Sequence, residues 1–185
     1  MRLQKPPAFP YQIESQKIYE YISSKTGRFR VFCLTHCFSQ KKTADLGIEL
    51  VDGYSTLQLK NYYVFSWKLA NSFWSRYSLV VPPFENFLYQ KFQPNAELLG
   101  LLNTKYVISP YTIQDPSLKL ELKIDDYLIY ENLLFQERAF YVSKGKPVGK
   151  AEVKELKPGR AKIITDKKAS QELVLSEILS PGWRA

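Results

Sequence analysis

The chain is poor in the residues that carry most enzyme chemistry. Its 185 residues include one histidine, one methionine and two cysteines. A Ser-His-Asp triad would have to be built on His36, and neither a G-x-S-x-G elbow nor an H-E-x-x-H zinc helix is present. The eight glycines form neither G-x-G-x-x-G nor G-x-x-x-x-G-K-[ST], the loops that cradle phosphates. These absences argue against hydrolase, kinase and zinc-protease chemistry. No apolar run reaches the roughly 18 residues of a membrane span. The opening Met1-Arg-Leu-Gln-Lys-Pro-Pro has charge but no apolar core of a signal peptide.

The few cysteines and paired acids offer little for a metal. Cys33-Leu-Thr-His36-Cys37 has ligand residue types, but the three are cramped, and no second pair completes a tetrahedron. On an extended strand the two cysteine Cα atoms would stand roughly 13 Å apart, too far for a disulfide. Two small buried thiols at a strand end are therefore expected, joined only if the chain bends sharply after Leu34. Asp125-Asp126 has the look of a glycosyltransferase-like metal pair, but adjacent acids at a hairpin tip are more simply turn formers.

What is abundant is aromatic and basic. Thirteen Tyr, eleven Phe and three Trp within 45% apolar residues exclude a disordered chain and suit β-rich cores and wet binding surfaces. The net charge of +8 invites a nucleic-acid reading, but the cations are not gathered. Residues 1–100 carry 12 Lys and Arg against 7 Asp and Glu, and residues 101–185 carry 14 against 11. Such a diffuse excess fits solubility or an anionic membrane face as well as a phosphate track.

Periodicity predicts an α+β fold. Tyr11–Lys25 has helical spacing in Ile18, Tyr21 and Ile22, with Gly27 as a left-handed stop. Phe29–Leu34 follows as a strand apolar on both faces, hence central. A second helix is expected over Leu57–Trp74, its face traced by Leu59, Tyr62, Tyr63, Ser66, Ala70 and Phe73, with Ser55 or Thr56 as cap. A short helix at Asn95–Leu102 and a strand at Tyr106–Ser109 complete an α/β portion, residues 11–110. From residue 117 to 185 the pattern turns antiparallel and β-rich, in a sandwich-like arrangement. Leu118, Leu120, Leu122 and Ile124 alternate with Lys119, Glu121 and Lys123, and Tyr127–Glu131 returns as a hairpin partner. Further strands are expected at Ala139–Val142, Ala151–Leu156, Ala161–Thr165 and Glu172–Ile178. The Pro181-Gly182 turn followed by Trp183-Arg184 looks like the start of another element, so a longer protein is expected to continue there.

Several phrases form an ordered set: Arg28-Phe-Arg-Val, Gly53-Tyr-Ser-Thr, Leu101-Leu-Asn-Thr-Lys-Tyr-Val-Ile108, Tyr130-Glu-Asn, Arg138-Ala-Phe-Tyr-Val and Leu173-Val-Leu-Ser-Glu through Pro181-Gly-Trp-Arg-Ala. Together, over most of the chain, they resemble the extracytoplasmic part of YfhO-type bacterial membrane proteins. That family is similar to multi-span glycosyltransferases that draw sugars from polyprenyl-phosphate carriers. The resemblance implies a location on the extracytoplasmic face of the cell membrane, as part of the parent protein, and a supporting role. The membrane-spanning remainder of the parent would be the main partner, with a polyprenyl-phosphate sugar or glycan acceptor as ligand. In that superfamily the catalytic carboxylate is expected in the membrane part, so no catalytic residue carries over. No cofactor, metal ligand or nucleic-acid partner is expected. The candidate ligand-binding residues are Tyr54, flanked with Gly53 by Glu49 and Asp52; Glu131 and Arg138, which bracket the Asn132–Glu137 loop and, as a Glu and an Arg near a strand junction, are also expected to form a structural ion pair; and Trp183. Two rival functions stand beside this one: a stand-alone carbohydrate- or partner-binding module, and a basic nucleic-acid-binding domain.

Overall fold

The computed structural model describes residues 15–34, 38–52, 59–71, 73, 93–157, 159–165, 171–177 and 184. Among these residues four helices lie mostly in the N-terminal half and ten strands extend into a β-rich C-terminal part, an α+β architecture. The central element is β1 (Arg30–Cys33), whose Val31, Phe32 and Cys33 are wholly buried. It pairs in parallel with β2 (Glu49–Leu50) on one side and with β3 (Thr104–Ser109) on the other. The antiparallel hairpin of β4 (Leu118–Ile124) and β5 (Tyr127–Asn132) then closes the sheet against β3, giving the order β2-β1-β3-β5-β4. The hairpin, grouped from the sequence with the β-rich portion, is thus hydrogen-bonded into the N-terminal sheet.

Both faces of this sheet are covered, which is why its inner strands are apolar at successive positions rather than alternate ones. On one face α1 (Gln16–Ser23) lays Ile18, Tyr19 and Ile22 over Val31, Cys33, Tyr106, Ile108 and Ile129. On the other, α3 (Lys60–Ala70) and α4 (Ala96–Leu101) bring Leu69, Ala96 and Leu99 against Phe32, Leu34, Val107 and Tyr130. The face expected of the second helix holds in its middle, where Tyr63, Ser66 and Ala70 are buried, but Leu59 and Phe73 are exposed. Ser55 and Thr56 lie outside the described residues, and the N-cap position is Leu59. Asn95 caps α4 by accepting from the Leu98 N–H at 2.9 Å.

Three elements are not in the sequence expectation. The six-residue α2 (Gln40–Asp45) has no apolar stripe and is started by the Ser39 cap. β2 is two residues long. β7 (Lys146–Lys150) contains Pro147 and Gly149, which break a strand pattern but are tolerated at a sheet edge. It pairs with β6 (Ala139–Ser143) through Lys144-Gly145, both at positive φ, the geometry of a tight two-residue hairpin turn. β10 (Glu172–Leu175) completes this three-stranded antiparallel sheet on the far side of β6. β8 (Glu152–Lys157) and β9 (Arg160–Ile164) form a separate two-stranded ribbon. No helix of the described residues is long and apolar enough to cross a membrane.

Candidate functional site: a charged cleft at the sheet junction

Arg138 immediately precedes β6 and is one of the largest wholly buried side chains, 2% exposed. A guanidinium so desolvated needs partners, because an unpaired buried charge costs several kcal/mol. Its sequence-expected partner, Glu131, is elsewhere: on β5 opposite Tyr106 and Lys119, 4.0 Å from the Lys105 ammonium. Arg138 instead donates to Glu49 on β2 and, at 2.8 Å, to Glu177 just after β10. The correction has a simple cause. Glu131 and Arg138 are near in sequence, but the loop between them turns the chain into a different sheet.

Arg30, at the start of β1, joins the same carboxylates. It donates to Glu177 at 3.1 Å, lies 3.9 Å from Glu49, and bonds the Leu102 and Ser176 carbonyls at 3.1 and 3.0 Å. Arg28 adds a third guanidinium, 3.5 Å from Glu49. Burial, and then the neighbouring Arg138 charge, push the Arg30 pKa below its ordinary value. Three guanidinia therefore share two carboxylates, leaving one cation in surplus. Nε of Arg138 has no hydrogen-bond partner among the described residues.

Backbone geometry fixes this arrangement. Asn103 sits in the turn between α4 and β3 at φ +61°, a left-handed conformation that asparagine tolerates better than most residues. Its buried amide donates to the Arg28 carbonyl at 3.3 Å and to the Gln136 carbonyl at 3.0 Å. One side chain thus pins the two segments that deliver Arg28 and Arg138. Asn132 performs a similar task nearby, donating to the Ala96 and Thr104 carbonyls and accepting from the Leu134 N–H.

Beside the network opens a cleft of about 560 Å³, lined by Arg28, Glu137, Arg138, Tyr141, Lys150 and the residues that lead into the β8–β9 ribbon. Its size is that of ordinary small-molecule sites. Ala151, Val153 and Ile164 supply an apolar wall, and Tyr141 an aromatic one. Lys150 and Glu137 are exposed, with no ion pair among the described residues. Glu152 is paired with Lys154 at 2.8 Å. Of the four residues singled out from sequence, Arg138 lines this cleft and Glu131 does not, while Tyr54 and Trp183 lie outside the described residues. Arg28, Tyr141 and Lys150 were not singled out, because no local pattern marks a residue that meets others only through long-range sheet pairing.

A second feature lies at the opposite, carboxyl end of the parallel strands. Asp52 is buried and accepts from the Cys33 N–H at 3.2 Å. Desolvation pushes its pKa up to about 7, and bonds from the Cys33 and Asp52 N–H groups offset this only in part. Cys33 itself is disulfide-bonded, and Cys37, outside the described residues, is the one other cysteine of the chain. The expectation of two free thiols is therefore corrected. It assumed an extended strand through Cys37, whereas β1 ends at Cys33 and the chain turns at Leu34. No group of three or more His, Cys, Asp or Glu side chains that could hold a metal occurs among the described residues.

No protein-family model, curated protein or solved structure matches the chain.

Proposed function

We propose that this chain is a soluble extracytoplasmic domain, or part of one, of a multi-span membrane glycosyltransferase-like protein. By itself it is non-catalytic, and it shapes the path of the acceptor or lipid-linked sugar above the membrane. The observation that carries the reading is the disulfide at Cys33. Disulfides persist in oxidising compartments and are rare in the cytosol, which agrees with the location that the YfhO-type resemblance implies. The cleft beside Arg138 supports the ligand side of the reading, since it joins an aromatic and apolar wall to several hydrogen-bond donors.

The reading frame that encodes the chain tests this directly. About ten apolar segments of roughly 20 residues each in the same frame are expected. A frame that encodes these 185 residues alone contradicts it. The cleft also favours a second reading, a carbohydrate-binding module that works without a membrane parent, and the same result would move that reading ahead.

A further inference from the structure

We infer that the cleft binds an acidic sugar, a carbohydrate ring bearing one carboxylate or phosphate group, with Arg28 and Lys150 gripping the oxyanion over a floor formed by Arg138. The inference rests on the proposed role of this cleft in sugar handling and adds the charge of the ligand. The argument is one of unbalanced charge. Among the described residues Arg28, Arg30 and Arg138 face only the carboxylates of Glu49 and Glu177, so the network by itself carries an excess of one cation. Of the remaining charges around the cleft, Lys150 offsets Glu137 and Lys154 offsets Glu152, so the excess persists.

Both gripping groups are free to move toward a ligand. The Arg28 side chain is 48% exposed and approaches Glu49 through Nε at 3.5 Å, and among the described residues its terminal nitrogens make no hydrogen bond, so they can present a fork to a carboxylate or phosphate. Lys150 ends the edge strand β7 and is exposed. Arg138 is held from behind by Glu49 and Glu177 and cannot swing out, so it contributes a fixed positive charge in a poorly solvated place. The aromatic and apolar part of the lining, Tyr141 with Ala151, Val153 and Ile164, suits the apolar face of a sugar ring. A neutral sugar would use that wall but leave the surplus charge unanswered.

Titration calorimetry on the purified chain, with glucuronate, glucose 1-phosphate, glucose and inorganic phosphate as probes, decides the matter. At least one of the two acidic sugars is expected to bind with about millimolar affinity, at least about tenfold tighter than glucose and inorganic phosphate. Whichever acidic sugar binds better identifies the oxyanion as carboxylate or phosphate. Arg28→Gln and Lys150→Gln should each weaken that binding by about tenfold while the melting temperature stays put. Glucose binding as tightly as both acids, no binding by either acid, or unchanged affinity in both variants would overturn the inference. Acidic-sugar binding by a protein whose reading frame encodes no membrane spans would retain it and defeat the membrane-parent reading alone.

Discussion

Among single residues, Arg138 and Asp52 are buried charges handled in opposite ways. Arg138 is compensated by two carboxylates, so removing one of them should be costly. Glu177→Ala should destabilise the protein by about 2 kcal/mol, less than the roughly 3–5 kcal/mol of a fully buried broken pair because Glu177 is partly exposed to solvent screening. Glu131→Ala, which removes a rim carboxylate 4.0 Å from its lysine, should stay within about 0.5 kcal/mol. Denaturant titration of the two variants side by side checks this, and equal losses would mean that Arg138 is not held as described. Asp52 has no cationic partner among the described residues, and its folded pKa of about 7 lies above its ordinary 3.8. The folded state then holds a proton that the unfolded chain releases, so the contribution of Asp52 to stability is whole below about pH 4 and falls as pH rises to about 7. Relative to the wild type, Asp52→Asn should gain stability across that window, by at most about 4 kcal/mol, with a plateau above it. Parallel free-energy curves for the two proteins between pH 4 and 8 would refute the burial of an uncompensated carboxyl.

Elements were legible in the sequence where burial imposes a period. The two-faced apolar run of β1 and the helical spacing of Ile18 and Ile22 report a buried face directly, whereas the alternation in β4 does so only in part: Leu118 is buried and Leu122 and Ile124 are half-buried, but Leu120, beside a register shift, is exposed. Elements that bury little left no such record: α2 buries only Thr43, and β7 buries nothing. Arg138 was legible as a candidate because a charged residue next to an apolar strand is conspicuous. Glu49 and Glu177, 89 and 39 residues away from it, were not legible as its partners. The disulfide was missed for a different reason: the distance argument carried the extended conformation beyond the strand, whereas the chain turns at Leu34. The junction of α4 with the β5–β6 loop gives an element-scale test. In an isolated helix Gly100→Ala would stabilise by about 1 kcal/mol. Here an added Cβ would run into the Leu134 carbonyl, whose carbon lies 2.8 Å from the Cβ position. The backbone oxygen of Gly100 also accepts from the Gln136 N–H. The substitution should therefore lower the midpoint, with a net loss of about 2 kcal/mol, or about 4–8 °C at this chain length. A raised melting temperature would show that the loop carrying Arg138 does not rest on α4.

At the scale of the whole molecule, the Arg138 network joins the two main sheets: Arg30 and Glu49 lie in the five-stranded sheet and Arg28 just before β1, while Arg138 and Glu177 come from the segments beside β6 and β10. The cleft is built at that junction, so its lining depends on both sheets keeping their places. The disulfide bears on where the molecule works. Non-reducing mass spectrometry should give a mass about 2 Da below that of the dithiol form, and reduction should cost about 2 kcal/mol, as expected for closure of so short a loop. Two alkylatable thiols in the folded, unreduced protein would remove the main support for an oxidising location.

The central claim, an outward-facing domain of a larger membrane protein, is tested most directly in cells that carry the native gene. An antibody raised against this chain should detect a membrane-fraction protein of apparent mass far above that of 185 residues. External protease added to wall-stripped, otherwise intact cells should destroy that epitope while cytosolic markers survive. Recovery of the epitope in the cytosolic fraction, protected until the cells are lysed, would contradict the account.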